Sequence, residues 1–220
     1  NYIRRCRRLG AAVKTNPRRK GILAICCGAH VVQDGLSAAL YVILPVLAQA
    51  FGLNYAQIGI LRAVNNGAMA LLEMSSGFMA ERFGERNLLV FGLICAGSGY
   101  VILAMANGIW VILPCLFIVG IGGAFQHALS SSIVSNVFDQ YRRRSALGLY
   151  NSSGDVGKVL FTAAFSLATG ISIAWQGVAS GFGVVALAYG VVVFFTLRAL
   201  TAGNRRSVVK SSDGAVSAIG

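Results

Sequence analysis

GILAICCGAHVVQDGLSAALYVILPVLAQ, residues 21–49, is the stretch that decides the fold class. It contains no lysine or arginine, and His30 and Asp34 are its only acidic or imidazole side chains. At about 1.5 Å of rise per residue, a helix of this length outreaches the ~30 Å hydrocarbon core of a bilayer. A basic segment running from Arg4 to Lys20 stands directly before it. Basic charge abutting a long apolar run is a membrane topology signal. Five further apolar runs follow, at roughly 55–80, 87–106, 109–138, 144–169 and 172–198. The whole chain has 220 residues, 56% hydrophobic and 12% charged, with a mean hydropathy of +0.70. A soluble domain of that size would carry far more polar surface. The sequence therefore predicts an all-α membrane protein, a six-transmembrane-helix bundle over 21–198. A basic tail over 1–20 and a polar linker or tail over 199–220 flank it.

The segments between spans separate into two sets. Phe51 to Ala56, Asn107 to Trp110 and Gly170 to Ser172 carry no charge. The other set holds the basic tail, Glu81-Arg82 with Glu85-Arg86, Arg142 to Arg144, and Arg198 with Arg205, Arg206 and Lys210. Of the 19 basic residues, all but Arg62 and Lys158 belong to this second set. The positive-inside rule makes that side cytoplasmic, so an even number of spans puts both termini inside. The net charge of +12 is thus a topology signal. No nucleic-acid partner is expected, because no recognition fold is present to carry a basic face. The basic tail also suits the anionic surface of the lipid bilayer. Cys26, Cys27, Cys95 and Cys115 lie inside apolar runs, where a thiol acts as a small hydrophobe, and Cys6 lies in the tail. No disulfide framework is legible. The N-terminal run is too long for a signal peptide and lacks a small-residue cleavage site. A first residue of Asn rather than Met is expected of a fragment or a processed form.

Ionisable groups at membrane depth cost at least about 2.5–3.5 kcal/mol each, which makes every one a functional candidate. The first span has His30 and Asp34, the second Arg62 and Glu73, the fourth His127, and the fifth Asp155 and Lys158. The third and sixth have none. His30 and Asp34 are i, i+4 neighbours, with Gln33, Ser37 and Tyr41 on their side. Arg62, Asn66, Met69 and Glu73 form a stripe on the second span. His127 continues through Ser130 and Ser131, and Asn151, Asp155 and Lys158 align on the fifth span, with Asp155 in reach of Lys158. Asp34, Asn66 and Asp155 fall near mid-depth. A shared aqueous cavity is predicted, lined by Gln33, Arg62, Asn66, Glu73, His127, Asn151, Asp155 and Lys158. The plainer alternative is that these charges pair with one another and lock the bundle. Asp34 beside His30 is the pair suited to proton handling, since carboxylate–imidazole neighbours relay protons in membrane carriers.

Three sharper motifs do not hold. Gly154-Asp155-Val156-Gly157-Lys158 imitates a phosphate loop but lies inside a span. Asn151-Ser152-Ser153 spells a glycosylation site at a buried position. His30, Asp34 and His127 supply metal-ligating types, but no ligand spacing on one helix supports a site, so no metal and no cofactor is assigned.

After the second span comes Gly77-Phe78-Met79-Ala80-Glu81-Arg82-Phe83-Gly84-Glu85-Arg86-Asn87-Leu88-Leu89. This resembles the signature loop of the major facilitator superfamily, G-x-L-A-D-R-x-G-R-[KR]-x-x-L, at the place where that loop occurs. Met79, Glu81 and Glu85 depart from it, the last by reversing a charge. His30-Val31-Val32-Gln33-Asp34, Gly123-Ala124-Phe125-Gln126-His127 and Tyr150 to Lys158 look like a bacterial branch of that superfamily, the fosmidomycin-resistance-type exporters. The superfamily's antiporter signature needs a Gly-Pro pair in the fifth span, where Phe161-Thr162 stands here.

The resemblance, over roughly 22–198, implies one half of a twelve-helix fold, built from two inverted three-helix repeats. It further implies that spans 1, 2, 4 and 5 line a cavity. The function implied is secondary transport of a small organic solute in the bacterial cytoplasmic (inner) membrane, with Asp34 and His30 coupling a proton. Gly77, Glu81, Arg82, Gly84 and Arg86, with Asp139, would form a cytoplasmic gate. The partner would be a C-terminal six-helix half or a second copy of this chain. Two rivals stand beside this reading. One is a self-sufficient six-helix channel or homodimeric carrier, for which Gly177 and Gly181 offer a helix-packing face. The other is a membrane-embedded enzyme using His30, Asp34 and His127.

Overall fold

The computed structural model describes residues 17–203, and every regular element in that range is an α-helix. In chain order these are α1 (Pro17–Phe51), α2 (Tyr55–Phe83), α3 (Glu85–Leu103), α4 (Ile109–Ala124), α5 (Gln126–Val137), α6 (Gln140–Gly170) and α7 (Trp175–Ala199). They make six spans, because α4 and α5 continue one another across Phe125. A single helix is expected over 109–138, and the structure bends it there. Phe125 has φ −91° and ψ −14°, and its N–H turns back to the Gly123 carbonyl. Gly122-Gly123 just before it weakens the helix at that point, by roughly 1 kcal/mol per glycine relative to alanine.

Four spans are long and apolar enough to cross a bilayer: α1, α3, α4–α5 and α7. The remaining two, α2 and α6, have the length, 29 and 31 residues. What sets them apart is the polar load of Arg62, Asn66 and Glu73 on one and Asn151, Asp155 and Lys158 on the other. Helix starts and stops have local causes. Asn54 caps α2 by accepting from the Gln57 N–H at 2.9 Å, and the Gln57 side chain accepts from the Asn54 N–H at 2.9 Å, a reciprocal capping box. Gly84 alone joins α2 to α3 at φ +84°, a conformation that side chains disfavour.

The packing pattern displays the two inverted repeats. α1 packs chiefly on α6, and α4 packs on α2. Exchanging spans 1, 2, 3 for 4, 5, 6 turns the first contact into the second. The same exchange maps α1 on α7 to α4 on α3, and leaves the extensive α3–α7 contact unchanged; all are observed. In lipid the helices have no hydrophobic drive to associate, so close backbone approach and polar bonds must hold them. A Cβ on Gly97 of α3 would lie 2.8 Å from the Gly183 carbonyl of α7, and one on Gly183 would lie 2.6 Å from the Gly97 carbonyl. Gly92 and Gly122 make the same reciprocal contact between α3 and α4. Buried side chains then reach across to carbonyls: Tyr100 donates to Leu36, Tyr189 to Ile25 and Asn65 to Leu116. Bonds of this kind contribute about 0.6–2 kcal/mol each. Among the described residues, by contrast, a Cβ on Gly181 would meet nothing, and one on Gly177 would meet Ile173 at ordinary contact distance.

At the end of the bundle that holds Pro17 and Ala199, the chain is stitched together. Arg18 Nε donates to the Leu200 carbonyl at 2.8 Å, and the Arg86 N–H donates to the Gly203 carbonyl at 2.9 Å. Phe51 and Trp175 meet edge-on at the opposite end, with ring centroids 6.3 Å apart.

Candidate functional site

The site forms where α1, α5 and α6 converge. One helical turn places His30 and Asp34 together on α1, and α6 comes close because it offers glycines there. A Cβ on Gly157 would lie 2.2 Å from the Val31 carbonyl, and one on Gly154 would lie 2.7 Å from Asp34 Oδ2 and from His30 Cε1. The false phosphate loop is therefore a packing seam. His127 enters from the first turn of α5, just past the bend at Phe125.

Asp34 is 5% exposed, yet three nitrogen-bearing side chains surround its carboxylate. His30 Nε2 lies 3.4 Å from Oδ2, His127 Nε2 lies 3.5 Å from Oδ1, and Lys158 Nζ lies 3.3 Å from Oδ2. Lys158 also donates to Asp155 Oδ1 at 2.9 Å, so it bridges two carboxylates. His30 stacks on the Tyr150 ring at 4.2 Å and meets His127 edge-on at 5.1 Å. Its Nδ1 lies 2.9 Å from the Tyr150 carbonyl oxygen. A carbonyl only accepts, so Nδ1 carries a proton. That leaves Nε2 facing a carboxylate. Two lone pairs do not face each other at this distance without a positive charge between or beside them. The cluster has a closed and an open side, since His30 is buried while the side chains of His127 and Lys158 are 46% and 50% exposed.

The other expected cavity residues are placed differently from one another. Gln33 is 1% exposed, and neither of its amide atoms has a hydrogen-bond partner among the described residues. It lies with Met69 against Gly123 of α4. Arg62 sits 3.8 Å above the Tyr41 ring, a cation–π contact between α2 and α1. Asn66, Glu73, Asn151 and Asp155 are exposed. Sequence reasoning passed over Tyr150, Gln126, Asn65 and the spatial role of Gly154. Ala146, Tyr150, Gly154, Gly157, Phe161 and Phe165 form the buried face of α6. Their four- and three-residue spacing was the available signal.

The loop residues do not gather as the resemblance implies. Asp139 pairs with Arg19 at 2.7 Å, and among the described residues it forms no ion pair with Arg82 or Arg86. The Arg19 guanidinium beside it holds the Asp139 carboxyl below its ordinary range. Arg86 lies 5.4 Å over the Phe194 ring, and Arg82 lies 5.7 Å over Phe83. Glu81 is exposed, and a Cβ on Gly77 would meet nothing among the described residues. Glu85, the reversed charge, is buried and accepts from the Ser132 hydroxyl of α5.

Three comparisons bear on this arrangement. The sequence pattern of the Major Facilitator Superfamily matches residues 26–218. The class G tetracycline resistance protein of Vibrio anguillarum is 32% identical over 144 residues, covering 64% of this chain and 35% of that protein. The fosmidomycin resistance protein of Escherichia coli strain K12 is 28% identical over 153 residues, covering 69% of this chain and 37% of its own length. The chain thus spans little more than a third of these curated relatives. Among solved structures, a bacterial homolog of the human lysosomal transporter Spinster, inward-facing and unoccupied, superposes with a TM-score of 0.70 at 18% identity. That match covers 83% of this chain and 43% of the other.

Proposed function

This chain belongs to the major facilitator superfamily, and from that premise we propose that it is the N-terminal half of a proton-coupled carrier moving a small organic solute by alternating access. It is an integral membrane protein of a transporter family, and two of the relatives it matches are named for resistance to tetracycline and to fosmidomycin. In the proposal both termini face the cytoplasm of a bacterial cell, and a second six-helix half or a second copy supplies the cavity's other wall. The open side of the cluster, with His127, Lys158 and Asp155, receives the solute. Asn66, Asn151, Gln33, Arg62 and Glu73 shape the approach, and the loop from Gly77 to Arg86 with Asp139 gates the cytoplasmic end.

The observation that carries the proton role is the His30 bond to the Tyr150 carbonyl. It fixes the tautomer, so the lone pair of His30 Nε2 faces the Asp34 carboxylate at 3.4 Å, and a proton taken up between them is shared by both. A proton held between two bases can leave without breaking the fold, because Lys158 remains within 3.3 Å to balance the carboxylate. Asp34→Asn keeps the size and removes the shared charge. Full-length protein in proteoliposomes should then lose solute accumulation driven by a pH gradient while retaining solute exchange. Accumulation equal to wild type would leave Asp34 as a structural partner only.

A further inference from the structure

We infer that His30 Nε2, His127 Nε2 and the Asp34 carboxylate form a binding site for a borderline-soft divalent transition metal ion, Zn2+ fitting best. The ligand atoms of these three residues all lie within 4.8 Å of one another. A tetrahedral zinc with bonds of about 2.0–2.1 Å has ligand-to-ligand edges of about 3.3–3.4 Å. The two histidines approach different oxygens of Asp34, His30 Nε2 lying 3.4 Å from Oδ2 and His127 Nε2 lying 3.5 Å from Oδ1, each a separation of about that length. To share one ion bound at a single carboxylate oxygen the remaining edges must shorten, and His127, half-exposed in the first turn of α5, is the ligand with room to move.

A second observation points the same way. Among the described residues His30 Nε2 is buried without a hydrogen-bond partner, although Asp34 Oδ2 lies 3.4 Å away, while the other ring nitrogen donates to the Tyr150 carbonyl. Metal-binding histidines are held in this manner: the outer N–H on a carbonyl fixes the ring and directs the free lone pair at the ion. Two imidazoles and one carboxylate favour zinc, cobalt or nickel over magnesium or calcium, which take oxygen shells. The fourth coordination position would open to the exposed side of the cluster. Lys158 is the built-in competitor, since its ammonium and a divalent ion cannot both sit against Asp34. It keeps Asp155 at 2.9 Å when displaced.

The inference goes beyond the transport reading and needs no flux to test it. Full-length protein, with any affinity tag cleaved, is placed in lipid nanodiscs and competed against a chromophoric zinc chelator. Wild type should take up one equivalent, with millimolar Mg2+ without effect. His127→Ala removes a half-exposed ligand, leaves His30 and Asp34 in place, and should weaken binding by about tenfold or more. Lys158→Met should tighten it. X-ray absorption should show nitrogen and oxygen neighbours at about 2.0–2.1 Å with no sulfur at ~2.3 Å. No uptake, uptake unchanged in His127→Ala, or a sulfur neighbour from the cysteines would each overturn the site. A failure here leaves the Asp34→Asn flux experiment standing, and a failure there leaves the zinc titration standing.

Discussion

The cluster around Asp34 and the loop around Gly84 are both built from charged residues, yet the chain treats them in opposite ways. At the cluster, one buried carboxylate has three nitrogen partners within 3.5 Å, all supplied by this chain. At the loop, Glu81 is exposed, and Arg82 and Arg86 lie over the aromatic rings of Phe83 and Phe194 rather than against acids. The motif that is easiest to recognise is therefore the one this chain explains least, because among the described residues Glu81, Arg82 and Arg86 form no ion pair. A charge buried among its own partners is an internal device. A charge left at the rim, with only an aromatic ring beneath it, is set up for something that comes to it.

The sharpest way to break that contrast is to force the cluster apart. Gly157→Val puts a side chain where a Cβ would already lie 2.2 Å from the Val31 carbonyl. Backbone cannot yield as a side-chain tip can, so overpacking should cost at least about 1–3 kcal/mol. The expected result is a large drop in folded yield and melting temperature in detergent. Gly148→Val serves as the control on the same helix, since a Cβ there would meet nothing within 4 Å among the described residues. Equal behaviour of the two variants would mean that α6 does not depend on its glycine seam.

At the loop the expected effect moves from folding to transport. Arg82→Ala should leave membrane insertion and melting temperature unchanged while slowing solute flux by the full-length protein. Normal flux would reduce the loop to a topological marker. The smallest effect belongs to the exposed Arg19–Asp139 pair. Arg19 lowers the folded-state pKa of Asp139, so the pair stabilises above the ordinary aspartate value of 3.8 and loses this contribution as pH falls through the shifted value. Wild type and Arg19→Ala should differ slightly in melting temperature at neutral pH, and the gap should close on acidification. A gap that widens in acid would show that Arg19 acts through some other contact.

Much of this was legible from residue order. The ionisable groups of spans 1, 4 and 5 meet around Asp34 while those of span 2 stand apart from it, and i, i+3 spacing anticipated the Lys158–Asp155 bond. What stayed hidden was which neighbour each face would meet. Helical spacing gives a residue's angle on its own helix but not the helix across from it. Consecutive residues differ by about 100°, so Asn65 is buried against the Leu116 carbonyl while Asn66 is exposed. Gly154 reads as a breaker or a motif letter until α1 is seen lying against it. Glu85 reads as a surface charge until Ser132, from another repeat, arrives beside it.

The bond between His30 and Tyr150 joins residues 120 positions apart. A ribosome adding about 5–20 residues per second needs roughly 6–24 seconds to cover that gap. During that interval α1 has left the ribosome without the Tyr150 carbonyl, the Gly154 seam or the Lys158 ammonium. Its carboxylate and imidazole must wait, and the apolar flanks of α1 alone have to hold it in the bilayer. α1 thus waits for partners made much later, and the arrival of α6 marks the moment at which the cluster around Asp34 becomes a finished object.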